Sequence, residues 1–229
     1  GSEMCIRDRS RRGGAPLRLD WGDVLTPTWN TVWVGVATAV IAVAVVLPVA
    51  YLTTRHQSRL GGAVNAVVVA GFAIPGLVVA LSLVFWTHHA STFEFLIGSM
   101  PVLVFAYVVH FGAQAVRTAQ VAVDAVPRRM EDAARLLGAG RLRRLATVEL
   151  PLMLPGLAAG AGLVMLSTMK ELPATLLASP IGFRTLATQI WGTYEALFLP
   201  EMAILALVLL IISALMTWLL VVRRSNHLR

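Results

Sequence analysis

The run Met202–Val222, MAILALVLLIISALMTWLLVV, carries no formal charge. At about 1.5 Å per residue a helix of that length spans roughly 30 Å, the thickness of a bilayer's hydrocarbon core. A helix apolar on every face sits either inside a large soluble core or in lipid. A chain of 229 residues that is 57% apolar and only 14% charged, with mean hydropathy +0.75, has no polar shell with which to enclose such a core. The run therefore reads as a membrane-crossing helix.

Four further stretches follow the same logic. Asn30–Leu52 is uncharged, and a second stretch runs from about Ala63 to Thr87. Pro101–Val116 is somewhat short, and Leu154–Met169 is shorter still and rich in Gly. Together they predict an all-α polytopic transmembrane bundle of about five spans, occupying residues 15–225. Pro48, Pro75 and Pro155 lie in or beside these spans, where neighbouring helices can satisfy the freed carbonyls. Gly71 and Gly76 flank Pro75, and Gly156, Gly160 and Gly162 give small-residue spacings that let helix backbones approach closely.

The net charge of +7 raises nucleic acid as a partner. The arginines cluster beside apolar spans without interleaved aromatics, so they read as a topology signal, and no nucleic-acid partner is expected. Cys5 is the only cysteine, which excludes an intrachain disulfide and a cysteine metal cage. Residues 1–14, with Arg7, Arg9, Arg11 and Arg12, show no usable periodicity, and their first ten or so read as a non-native scar.

The most specific segment is Met130–Leu150, which carries Glu131, Asp132, Arg135, Arg141, Arg143, Arg144 and Glu149 and ends against Pro151. Pro127 suits a helix's first turn, and Arg128–Leu137 holds good helix formers. Gly138 and Gly140 can take positive φ, so they are expected to end that helix and turn the chain into a second short helix from Arg141. The prediction is a helical hairpin, within a loop of about 119–151, lying parallel to the membrane face. Ala133 and Ala134 leave room for a partner's groove wall, and Asp132 with nearby arginines can make charged contacts at its rim. By composition alone, an amphipathic helix on anionic lipid fits equally well.

The order Asp132-Ala133-Ala134, Gly138, Val148, Leu150, Pro151 resembles the EAA loop of binding-protein-dependent ABC importer permeases. In that family the loop docks on the ATPase subunit, and the usual Glu is Asp132 in this chain. The resemblance implies that Glu131, Asp132, Ala133, Ala134, Gly138, Gly140, Val148, Leu150 and Pro151 couple the bundle to an ABC ATPase dimer. Gly138→Val is then expected to stall transport.

Lys170-Glu171-Leu172-Pro173-Ala174-Thr175-Leu176 closes the fourth span, and Lys170 is the chain's only lysine. Adjacent opposite charges at membrane depth pair, face a water-filled cavity, or snorkel to the interface. Pro173 breaks the helix there and leaves carbonyls turned toward the outer mouth. Lys170, Glu171, Pro173 and Thr175 are the candidate translocation-path residues. With Gly182-Phe183-Arg184-Thr185-Leu186-Ala187-Thr188 and Ile190-Trp191, this run looks like the second half of ferric-iron importer permeases of the two-half type.

The resemblance implies further partners: a periplasmic or lipoprotein substrate-binding protein, and a second permease half or homologous permease. Thiamine, polyamine, sulfate and phosphonate permeases share the architecture. No metal site is expected in this chain. His88, His89 and His110 read as structural, and Glu171, Glu195 and Glu201 are the few hard-oxygen groups near the outer side. No phosphate-cradling Gly-Lys-Ser/Thr loop is present, so ATP and Mg²⁺ belong to the partner ATPase and the chain is a transport subunit rather than an enzyme.

Two rival readings are a membrane-embedded enzyme and a secondary transporter. The first would use Ser82, Ser167 or Ser213, none of which sits in a Gly-x-Ser-x-Gly setting. The second requires ionisable groups near mid-span, and the spans hold almost none.

Positive charge predicts orientation in the bacterial inner membrane. Arg117–Leu150, the loop with Arg55 and Arg59, and the tail with Arg223, Arg224 and Arg229 fall on the cytoplasmic side. Residues 88–99 and 172–200, which hold only Arg184, fall opposite. Five spans place the Arg-rich start outside, which points either to the scar or to a longer permease whose preceding span is missing.

Overall fold

A computed structural model describes residues 20–55, 59–89 and 95–219. The N-terminal tail, residues 90–94 and the arginines at 223, 224 and 229 lie outside the described residues. All regular structure among the described residues is helical. Ten helices follow in order: α1 Trp21–Arg55, α2 Arg59–Gly71, α3 Gly76–His89, α4 Met100–Asp124, α5 Arg128–Leu136, α6 Arg141–Arg144, α7 Leu150–Met169, α8 Pro173–Ala178, α9 Leu186–Glu195 and α10 Leu199–Thr217.

Four segments are long and apolar enough to cross a membrane: α1, α4, α10 and the stretch Arg141–Met169. The pair α2 and α3 supplies a fifth only as a broken span, bent by 103°. The stretch expected over about Ala63–Thr87 is thus two helices that meet at Pro75. Pro75 cannot donate to the preceding turn and disfavours helical geometry at Ile74. The chain instead tightens, with Phe72, Ala73 and Ile74 amides bonding three residues back to Val69, Ala70 and Gly71 carbonyls. Helix α3 then restarts as Val78 and Val79 donate to the Pro75 carbonyl.

Two other boundaries move outward. The span expected over Pro101–Val116 continues to Asp124, because Arg117 points away from the core while Ala115, Val116, Ala119, Ala122 and Val123 stay buried. The span expected from Leu154 begins as helix at Arg141 and passes through a π turn, Leu145–Glu149, without interruption.

Helices α1, α4 and α7 form the core, each packed on the other two. Its buried side chains are mostly small, among them Ala39, Ala42, Ala50, Ala115, Ala119 and Ala122. Larger residues such as Val40, Val45, Leu207, Leu210 and Ile211 lie on the outside. This pattern fits a bundle in lipid, where outward leucines meet a solvent like themselves and association depends on close backbone contact. A Cβ on Gly156 would lie 2.8 Å from Ala122 Cβ, and one on Gly160 would lie 2.8 Å from Thr118 Cβ. The two glycines, one turn apart, thus bring α7 directly onto α4. Interhelical hydrogen bonds tie α4 to α7 and also to α1 and α2. Ser167 donates to Gln114 (2.9 Å), and Gln120 donates to Thr53 (3.0 Å) and Asn65 (2.9 Å).

Candidate functional site

The charged segment sits where α1 and α4 end and α7 begins, here termed the bend end. Pro127 is the residue before α5, and Glu131 in the first turn suits the helix's positive end. After Leu136 the chain reverses through a Schellman closure: Ala139 N–H bonds to Ala134 O (3.0 Å) and Gly138 N–H to Arg135 O (2.9 Å). Gly138 takes φ +77°, as that closure requires. Gly140 does not share this role. Its φ of −64° and ψ of 163° are extended, open to any residue, and it precedes α6, whose residue Arg144 donates to the Gly140 carbonyl.

The expected two-helix hairpin is modified accordingly. Its first arm is α5, and its second arm is the leading end of the α7 span. The intervening π turn explains how the two arms are held. Residues five apart overlie one another there, so Arg144 Nε donates to Glu149 Oε1 at 2.6 Å. Glu149 is 1% exposed, and its second oxygen accepts from Tyr51 Oη of α1 at 2.9 Å. A second buried pair joins Arg55 of α1 to Glu131 of α5 at 2.8 Å. The Arg55 guanidinium also donates to the Val123 and Val126 carbonyls (3.0 and 2.7 Å), which closes the end of α4.

These contacts sort the sequence-derived residues. Glu131 and Ala134 face the bundle, while Asp132, Ala133, Gly138 and Gly140 are exposed. Asp132 lies 3.9 Å from Arg135, both well solvated. Val148 falls in the π turn, and Leu150 and Pro151 in the first turn of α7, away from the tip. At the tip Leu136, Leu137 and Leu142 are 90%, 87% and 84% exposed. Three large apolar side chains thus stand bare on an otherwise polar bend. The pattern does not single out Tyr51 or Arg55 as site residues. The available signal is the five-residue interval between Arg144 and Glu149, which has meaning only once the helix is known to bulge.

At the far end, Lys170 is exposed at the close of α7, and no ion pair joins it to Glu171 among the described residues. Glu171 Oε1 instead accepts from Ala174 N–H at 3.2 Å, capping α8. Pro173 opens that helix, so it starts a new element as well as ending the old one. Thr175 is fully buried and donates to the Glu171 carbonyl, and its hydroxyl also meets Tyr107 Oη at 2.5 Å. His110, isolated in sequence, joins this cluster. The point that a Gly76 Cβ would occupy is 2.8 Å from Glu171 Oε1 and 3.3 Å from His110 Nε2. The elbow between α2 and α3 thus closes on Glu171 and His110.

Comparison with known proteins agrees with this architecture. Residues 41–224 match the family described as binding-protein-dependent transport system inner membrane component. An Fe(3+)-transport system permease protein of Haemophilus influenzae is 31% identical over 173 residues, or 75% of this chain, and the chain spans only 34% of that protein's length. A probable molybdenum ABC transporter permease protein of Haloferax volcanii is 32% identical over 192 residues, covering 81% of this chain and 70% of that protein. The fold is also that of an inward-facing MetNI methionine ABC transporter chain, with TM-score 0.67, 19% identity and coverage of 85% and 91%. The chain belongs to the binding-protein-dependent transport system inner membrane component family, the transmembrane permeases of ABC transporters.

Proposed function

We propose that this chain is the membrane-spanning part of an ATP-driven importer that carries ferric iron delivered by a separate binding protein, and that its bend couples the bundle to an ATPase dimer. The observation that carries this reading is the bend itself. Its tip presents Leu136, Leu137 and Leu142 to solvent, while its base is held to α1 and α4 by the Arg55–Glu131 and Arg144–Glu149 pairs. A partner that grips the leucines would move a platform and not a floppy loop. For nucleotide to drive transport, the ATPase must bind one arrangement of the bundle more tightly than the other. ATP and Mg²⁺ reside on that partner, and a second permease half completes the path. The bend and the C-terminus face the cytoplasm of a bacterial inner membrane.

The ferric reading draws on the iron permease relative and on the Lys170–Leu176 run. A second reading, an oxyanion importer, draws on the molybdenum permease relative, which the chain covers more fully. Uptake in vesicles, with the binding protein outside and ATP inside, separates the two. Saturable uptake of chelated ferric iron that molybdate leaves untouched supports the first reading, and uptake of molybdate alone replaces it with the second. Coupling is tested by Gly138→Val. A branched side chain at φ +77° costs about 1–2 kcal/mol locally, so the folded permease should persist while co-purified ATPase and uptake fall together. Unchanged ATP-driven uptake would remove the coupling role.

A further inference from the structure

The bend end also encloses a cleft of about 810 Å³ between the last turns of α1 and the segment α5–α7. Leu47, Leu52 and Met153 supply apolar wall, and Arg128, Arg135 and Arg141 stand among its polar residues. The buried charges beneath are already balanced, Arg55 by Glu131 and Arg144 by Glu149. Arg135 has Asp132 beside it. Arg128 and Arg141 line the cleft with no carboxylate partner among the described residues. Two uncompensated guanidiniums above an apolar wall ask for a ligand that is both anionic and greasy.

The lining runs from Leu47, inside the apolar helix α1, to Arg128 and Arg141 of the charged bend, so one ligand can meet both chemistries. It adjoins the exposed tip, since Leu142 stands in its lining while Leu136 and Leu137 do not. A free inorganic anion would leave the apolar wall wet, and a neutral lipid would leave the arginines unpaired.

We propose that the cleft holds one anionic phospholipid of the cytoplasmic leaflet, its phosphate between Arg128 and Arg141 and an acyl chain against Leu47, Leu52 and Met153. The leaflet follows from the orientation given above, but binding itself does not depend on transport, so the two readings fail separately.

The test uses the permease purified with its ATPase subunits, incubated with phosphatidylglycerol, phosphatidylcholine or inorganic phosphate and weighed by native mass spectrometry. Wild type should retain one phosphatidylglycerol in preference to phosphatidylcholine. Arg128→Gln/Arg141→Gln should lower that retention about thirty-fold, from about 1 kcal/mol per arginine. Arg128→Lys/Arg141→Lys should keep the lipid within a few-fold, and Arg143→Gln, an exposed arginine outside the cleft, should change nothing. Equal retention of phosphatidylcholine overturns the proposal. So does displacement of the lipid by millimolar phosphate, which makes the site a free-anion site. A Gln double variant that keeps the lipid and sheds the ATPase makes the cleft a protein contact and also overturns it.

Discussion

At the bend end four charged side chains are buried and matched, Arg55 with Glu131 and Arg144 with Glu149. At the far end Lys170 and Glu171 are neighbours in sequence yet stay apart, and the contacts there are a helix cap, a Tyr107–Thr175 hydroxyl pair and a glycine pressed on a carboxylate. The first arrangement resists being pulled apart, because separating either pair strands a charge away from water. The second holds no buried ion pair: one local cap, one hydroxyl pair between α4 and α8 and one van der Waals contact from α3, none of which leaves a charge stranded when it is broken. The two ends thus differ in what it costs to separate them.

The same substitution at each end tests it. Glu149→Ala takes the carboxylate from Arg144 and leaves it only the Tyr51 hydroxyl beside the cleft, and should cost about 3 kcal/mol, read as lost thermal stability in detergent. Glu171→Ala removes only a cap and should cost about 1 kcal/mol. Equal losses would erase the distinction between the two ends. Next in size is Gly160→Val, which drives a methyl into Thr118 of α4 and should cost about 1–3 kcal/mol through overpacking, visible as reduced yield of monodisperse protein. Gly76→Ala sharpens the comparison differently. Its added methyl would meet Glu171 Oε1 at 2.8 Å, so stability should fall by about 1 kcal/mol while uptake falls far more, and Glu171→Ala in the same chain should restore the stability. Asp132→Asn is the smallest, under about 0.5 kcal/mol, since its ion pair is solvated and long. A larger loss of stability would mean that Asp132 contributes to the platform.

Much of this layout is legible in the chain. Uncharged runs such as Asn30–Leu52 and Met202–Val222 mark spans because nothing else tolerates them, and Gly138 marks a reversal because φ +77° excludes most other residues. The elbow at Pro75 is less legible, since a proline in a span can kink a helix slightly or break it, and the 103° bend depends on Gly76 fitting against Glu171 and His110. The buried pairs are least legible. Arg55 and Arg144 look like ordinary boundary arginines until the ends of α1, α4 and α5 are seen to converge.

The π turn over Leu145–Glu149 sets which length changes this part of the chain can accept. Deleting Ala146 or Thr147 would restore regular helix and leave the Arg144 and Glu149 side chains four apart, still on one face. Adding a residue would separate them by six, turn them to different sides and strand both ions in the interior. This stretch should therefore tolerate shortening by one residue far better than lengthening.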